Sequence, residues 1–353
     1  MKKIRMGVIG VGSISGVHIK GIKNSPDAEL AAICDIDEGM LKNKGDKHGV
    51  PKNHRFKSHL DLLKCPDVDA VSICTPNVFH FPIAADAVRY NKPFALEKPV
   101  TMVYEEAVKL QEMAAEKAIP NIVCFSYRFK SAVRFARDLI RTGQLGEIVH
   151  FYGKYVSGKG MNQPLVWRYQ KNMTGYGVLG DRGSHLIDLA RFLVGDMTKL
   201  SSHAGTIIHK RKLTTGDGYG ESAVDDYCDI LGELEGGASA VLSVSRFVFA
   251  RDNYQRIEIS GSKGGLIYML DDGDEGISEG IKVCIGEVYE KSGSYKQIRV
   301  PKQYDSDQMQ SFFDLINGRG SELTPTIADG VINQRVLDAA AESFENEKWV
   351  HLK

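Results

Sequence analysis

The first third of the chain alternates short, β-branched apolar runs with amphipathic stretches, and this alternation restricts the fold more than any other feature. The runs are IRMGVIG, AELAAICD, VDAVSICT, PFALE and PNIVCFS, with FPIAADAVRY and YEEAVKLQEMAAEK among the segments between them. Strands apolar on both faces must be covered on both faces. They therefore specify an α/β fold, a doubly wound parallel sheet with helices on either side. At 353 residues the chain exceeds what one core usually supports, so two domains are expected, 1–122 and 123–353.

Beyond residue 122 the pattern changes. A helical stretch, AVRFARDLIRTG, is followed by longer segments with strand-like alternation: EIVHFYGKYV, KLSSHAGTIIHK, DDYCDILGEL, ASAVLSVSRFVF, YQRIEISGS and KVCIGEVYE. Gly-rich turns such as EGGAS and GSKGG separate them, which fits a large, mainly antiparallel sheet. Three further helical patterns, GSHLIDLARFLVG, QMQSFFDLINGR and ADGVINQRVLDAAAESF, complete an α/β domain.

Lys+Arg 45 balance Asp+Glu 45, so no long-range field gathers phosphates or anionic lipid, and neither nucleic acid nor a membrane is an expected partner. The six cysteines are dispersed without zinc spacing; they read as core residues of a reducing compartment, with no metal site expected. The start, MKKIRMGVIGVGSISG, has a basic prefix and an apolar run, but glycines interrupt it and no cleavage-like region follows, so it reads as a first strand and not a signal peptide. No apolar segment approaches the roughly 20 residues of a membrane helix. A soluble, cytoplasmic protein is expected.

GVIGVGSIS places Gly10 and Gly12 between a strand and a helical run, with Ser15 at the third position of a GxGxxG pattern. The first glycine allows a tight turn, the second lets backbone approach a pyrophosphate, and the third position needs a small side chain. Ser13 and Ile14 lead into the helix, whose N–H groups and dipole favour phosphate. Asp35 ends the second strand, 25 residues after Gly10, close to the interval of about 20 at which a carboxylate takes a ribose hydroxyl. An ordinary strand-end Asp opening a turn is the other reading. A carboxylate there repels a 2′-phosphate and no Arg follows directly, so NAD is preferred over NADP.

In an open parallel sheet the ligand lies outside the carboxyl ends of the strands. VSICTPNVFH ends in Thr75, Pro76 and Asn77, with Asn77 a candidate N-cap and His80 one turn into a helix, either touching cofactor or partly exposed at the helix start. FALEKP ends in Glu97 and Lys98 before Pro99. The proline biases Lys98 towards extended backbone, so the two side chains should leave on opposite faces. A solvated Glu-Lys pair and a catalytic strand end both fit. In GYGVLGDRGSHLIDLARFL, Asp181, His185 and Asp188 share one face if the helix begins by Asp181. A carboxylate beside an imidazole fixes its tautomer and raises its basicity. The alternative is a satisfied structural pair. WRY at 167–169 adds aromatic surface and a guanidinium just upstream.

GVGSIS, EKP at 97–99 and DRGSHLID at 181–188, in this order, resemble the Gfo/Idh/MocA family of sugar and polyol dehydrogenases, and SYRFKSAVRFARDLIRTGQLGEI, the WR pair and IEISGSKGGL extend the likeness over nearly the whole chain. The resemblance implies an N-terminal Rossmann domain and a C-terminal α/β domain with an open sheet that often forms homodimers or homotetramers. It implies Lys98, Asp181 and His185 as catalytic residues, Glu97 and the Thr75-Pro76-Asn77 turn beside the cofactor, and Arg128, Trp167 and Arg168 bordering nicotinamide or substrate. The chain departs from the family pattern at Gly175-Tyr176-Gly177, where three glycines are frequent, and at Gly180, where a larger residue is common.

The expected activity is NAD-dependent hydride transfer at a carbinol carbon of a sugar, cyclitol or related polyol. Two rivals are a nucleotide-binding regulator without turnover and a lyase or glycosidase that uses NAD transiently.

Overall fold

The computed structural model of the protein describes residues 2–271, 279–286 and 294–352. Contacts divide the chain into two units, one running to Phe125 and including Ser306–Gln334, the other comprising Ser126–Asp305 and the residues from Arg335 on.

In the first unit six strands, β1 (Ile4–Ile9), β2 (Ala28–Cys34), β3 (Arg55–Phe56), β4 (Ala70–Ile73), β5 (Phe94–Leu96) and β6 (Asn121–Val123), pair in parallel in the order β3-β2-β1-β4-β5-β6. Helices α1 (Ser15–Asn24), α2 (Glu38–His48), α3 (His59–Lys64), α4 (His80–Arg89) and α5 (Tyr104–Glu116) make the crossovers. The apolar runs are buried as expected, Val71, Ile73, Phe94, Leu96 and Val123 completely. Strand order reverses between β1 and β4, so the ligand crevice of such a sheet opens at their carboxyl ends.

The second unit holds α6 (Ser131–Arg141), β7 (Ile148–Val156), α7 (Lys171–Thr174) and α8 (Ser184–Leu193), then β8 (Met197–Gly205), the small hairpin β9 (Lys210–Lys212) and β10 (Tyr219–Glu221), and β11 (Tyr227–Leu234). β12 (Ser239–Ser245), β13 (Tyr254–Gly261), β14 (Gly264–Asp271), β15 (Glu279–Ile285) and β16 (Lys296–Ile298) follow. With β17 (Val350–His351) they build a nine-stranded sheet, β16-β15-β14-β13-β7-β12-β11-β8-β17, in which every pair except β7 with β12 is antiparallel. Of the strand expected over 282–290, residues 287–290 lie outside the described residues. α8 lies close on β7: a Cβ at Gly153 would stand 2.7 Å from Leu186 Cδ1, so a larger residue there would have to displace that side chain.

A simple division at 122/123 is corrected by the return of residues 306–334 to the first unit. α9 (Gln308–Ile316) carries the fully buried Phe312 and Phe313, each contributing about 1.5–3 kcal/mol by leaving water. Its Met309 packs against Gly21 of α1. Gln310 bonds Ser25 and Asp27, the Val123 N–H donates to the Pro325 carbonyl, and the Ile327 N–H donates to Asn121 Oδ1 at 2.8 Å. The last helix, α10 (Ile327–Asn346), contributes residues to each unit. No helix among the described residues is long and apolar enough to cross a membrane.

Candidate functional site

Gly10 follows β1 with φ +84, and a Cβ there would lie 2.8 Å from the Cys74 carbonyl carbon and oxygen, so the turn requires glycine. Its N–H donates to the Cys34 carbonyl at 2.8 Å. At Gly12 a Cβ would meet nothing within 4 Å, which leaves the backbone open to a close ligand. Ser15, fully buried, takes the third position and donates its hydroxyl to the Gly12 carbonyl at 2.7 Å. α1 starts without a side-chain cap or an acidic residue in its first turn, so its dipole is left for an anion. Ser13 is exposed and Ile14 half-buried at that start.

Asp35 Oδ2 accepts the Val11 N–H at 2.8 Å and Oδ1 the Asp37 N–H at 3.0 Å. The carboxylate is thus tied to the glycine turn with lone pairs to spare for hydroxyl donors. Thr75, at the carboxyl end of β4, has a buried Oγ1 with no hydrogen-bond partner among the described residues. An open backbone, an uncapped helix start, a tethered carboxylate and an orphaned hydroxyl together fit a dinucleotide.

Two neighbouring expectations are corrected. Asn77 does not cap α4; it belongs to a 3-10 turn, Asn77–Phe79, and the helix begins at His80 without a capping side chain. His80 is not partly exposed. It is fully buried, with Nδ1 2.7 Å from the Pro99 carbonyl and Nε2 3.0 Å from the Thr75 carbonyl. Burial lowers its pKa, and the neutral ring donates to one of those carbonyls at a time. His80 therefore ties the end of β4 to the EKP turn.

At that turn, whose Lys98–Pro99 bond is cis, the two side chains differ in burial. Glu97 is 9% exposed while Lys98 is half-buried. Glu97 is held by two hydrogen bonds: Oε1 meets His18 Nε2 at 2.9 Å, and Oε2 accepts the Lys98 N–H at 3.2 Å. His18 and its other partner, Ser72, escaped the sequence reading. Their signal was a histidine one turn into the cradle helix, too common a residue to single out.

In the second unit the segment before α8 is a wide π turn, Leu179–Gly183, whose entry is fixed by Asp225 accepting the N–H groups of Gly177 and Leu179 at 2.6 and 2.7 Å. A Cβ at Gly177 would stand 2.0 Å from the Asp225 carbonyl oxygen, so the second glycine of Gly175-Tyr176-Gly177 is required. Asp181 sits in the π turn, 3.6 Å from Arg182. His185 is buried in the first turn of α8, its ring edge-on to Tyr127 at 4.7 Å and 6.3 Å from Tyr155. The two tyrosine hydroxyls meet at 2.8 Å, and burial pushes the Tyr155 phenol up. The Arg182 guanidinium lies over Tyr155 and donates to Ser157 Oγ at 2.6 Å.

Asp188, expected on the Asp181 and His185 face, is turned elsewhere. It accepts Arg128 Nε on both oxygens, at 2.9 and 2.8 Å, and a terminal guanidinium nitrogen at 2.5 Å, with side chains 5% and 1% exposed. Arg128 is thus half of a buried ion pair. Trp167 and Arg168 stack on one another at 4.3 Å in a 3-10 turn. Tyr169, in the same turn, is buried beneath the Arg211 guanidinium at 3.7 Å.

The profile described as Oxidoreductase family, NAD-binding Rossmann fold, matches residues 4–124, and that of the GFO/IDH/MocA C-terminal domain matches residues 133–267. Levoglucosan dehydrogenase of Pseudarthrobacter phenanthrenivorans is 29% identical over 323 residues, 82% of this chain and 81% of the relative. Inositol 2-dehydrogenase of Rhizobium meliloti is 26% identical over 356 residues, 99% of each chain. A solved levoglucosan dehydrogenase in complex with NADH superposes with a TM-score of 0.91 at 26% identity, over 100% of both chains. With both profiles in sequence order along one chain, the protein belongs to the Gfo/Idh/MocA family of oxidoreductases, with an NAD-binding Rossmann fold.

Proposed function

We propose that the protein is an NAD-dependent dehydrogenase that moves a hydride between nicotinamide and a carbinol carbon of a sugar, cyclitol or related polyol. The observation that carries this reading is the cradle: Gly12 opens on free space beside an uncapped helix start, and Asp35 is tethered to the same turn. Gly10, Gly12, Ser13, Ile14 and Thr75 would hold the dinucleotide, and Asp35 its ribose. Bound NAD supplies a hydride acceptor at nicotinamide C4. The chain's own side chains handle the proton.

His185 takes the hydroxyl proton, a task suited to an imidazole, whose ordinary pKa of about 6.5 lets it accept at neutral pH. Asp181, four residues earlier, orients it. Lys98 hydrogen-bonds the reacting oxygen and stabilises developing alkoxide charge. The relatives named for levoglucosan and inositol support the substrate class.

The test is a screen of sugars, cyclitols and glycosides with NAD and NADP, read at the reduced-nicotinamide absorbance, with Lys98→Ala and His185→Ala beside the wild type. Each variant should lose about two to four orders of magnitude in kcat, the usual size of positioned acid-base and electrostatic effects. Wild-type rates in Lys98→Ala would refute its role. Product without accumulating NADH would indicate transient redox, and neither product nor NADH a regulator.

A second copy of the chain is the further partner proposed. Tyr152, Val241 and Leu231 stand in register across β7, β12 and β11 on the open sheet face, Tyr152 and Leu231 nearly half exposed. Such a row suits a homodimer or homotetramer, checked by light scattering of the wild type and Leu231→Glu. All six cysteines are free, which suits a reducing, cytoplasmic setting.

A further inference from the structure

We infer that His18 is a positioning residue for the reaction, fixing Lys98 through Glu97 to the helix that carries the dinucleotide cradle; this rests on the dehydrogenase reading above. His18 lies one turn into α1, three residues after Ser15, and is 1% exposed. Nδ1 is 2.7 Å from Ser72 Oγ on β4, and Nε2 is 2.9 Å from Glu97 Oε1 at the end of β5. Glu97 Oε2 in turn accepts the Lys98 N–H. One ring therefore joins three segments that border the cofactor crevice: the helix after the glycines, the strand leading to Thr75, and the turn that presents Lys98.

A carboxylate as buried as Glu97 needs a donor aimed at it, because desolvation without one is costly. The imidazole supplies that donor in either protonation state, since Ser72 Oγ can give or take a hydrogen bond at Nδ1. Cys124 lies nearby, its sulfur within 4.8 Å of the ligand atoms of His18 and Glu97. Nε2 and Oε1, however, sit at 2.9 Å, closer than the roughly 3.3 Å that separates two ligands of one tetrahedral zinc. A shared proton, not an ion, accounts for that spacing. Removing the ring would free the Glu97 carboxylate to rotate and carry the EKP turn with it. Displacing a catalytic group by about 1 Å is enough to cost on the order of a hundredfold in rate.

The test compares His18→Leu, which has no donor, with His18→Gln, whose amide can still reach Glu97. Active sites are counted by NAD binding, and the substrate is whichever of glucose, myo-inositol and levoglucosan the wild type oxidises fastest, in protonated and carbon-deuterated forms. His18→Leu should lower kcat per NAD-binding site by about 10- to 100-fold, raise the deuterium isotope effect on kcat as hydride transfer becomes limiting, and leave sugar KM within about threefold. His18→Gln should recover most of the rate. Should the leucine variant not fold, His18→Asn, too short to reach Glu97, takes its place. Wild-type kcat and isotope effect per NAD-binding site in His18→Leu would overturn the inference, as would equal losses in the Leu and Gln variants. A wild type that oxidises no sugar would instead overturn the dehydrogenase reading.

Discussion

Removing the Asp188 carboxylate should destabilise the second unit more than any surface change could. Its side chain and that of Arg128 are 1% and 5% exposed and share three contacts of 2.5–2.9 Å, with the guanidinium also over the Phe192 ring at 5.0 Å. Asp188→Ala leaves the guanidinium in a place built for an ion pair. Breaking a buried pair from one side costs about 3–5 kcal/mol, or roughly two to three and a half powers of ten in the folding equilibrium, against a total stability of about 5–15 kcal/mol. Replacing both partners by apolar side chains of similar size, Arg128→Met with Asp188→Leu, removes the stranded charge and should recover most of the loss. Both tryptophans, Trp167 and Trp349, belong to the second unit, so urea unfolding followed by their fluorescence reads the right transition. A single-variant loss below about 1 kcal/mol, the scale of exposed pairs, or a double variant no more stable than Asp188→Ala, would refute the reasoning. NAD affinity of the double variant should match wild type; a marked loss would place Arg128 beside the cofactor.

Gly12→Ala should keep the wild-type melting temperature, since its Cβ meets nothing within 4 Å, yet weaken NAD binding measured by calorimetry. Gly10→Ala, at φ +84 and 2.8 Å from backbone, should lose about 1–3 kcal/mol or more in urea melts. Asp35→Ala should narrow the ratio of NAD to NADP in kcat/KM, and an unchanged ratio counts against ribose binding. For His18, burial acts to lower the pKa, but Cys74 and Glu97 outweigh it and push the group up to about 10. A histidine raised on folding adds stability that is complete below its unfolded pKa of about 6.5 and is lost as pH rises through the folded value. The urea midpoint should therefore fall more steeply between pH 6.5 and 10 in wild type than in His18→Leu, and parallel slopes would exclude the charged ring.

What the sequence made legible and what it hid separate along one physical line. The parallel sheet, the glycine turn and the strand-end position of Asp35 follow from local rules, because period-two and helical patterns and a Gly-rich turn are written in neighbouring residues. β14, GGLIYMLD, is absent from the expected strands; it follows the GSKGG turn and pairs antiparallel with β13. Hidden altogether were the partners of buried polar groups, His18 with Glu97 across 79 residues and Arg128 with Asp188 across 60. A window of four residues assigned Asp188 to His185, since i+3 and i+4 neighbours are the only ones such a window contains. The same limit governs strand ends. A polar side chain there meets ligand where the carboxyl edge is open and meets protein where a helix covers it. α1 brings His18 against the inner side of β5, so Glu97 is claimed by the interior. Lys98, one residue on, is only partly buried. A dipeptide that looks like a surface pair is thereby divided into an internal anchor and a more exposed neighbour, and the helix that makes the division is the one that starts at the nucleotide cradle.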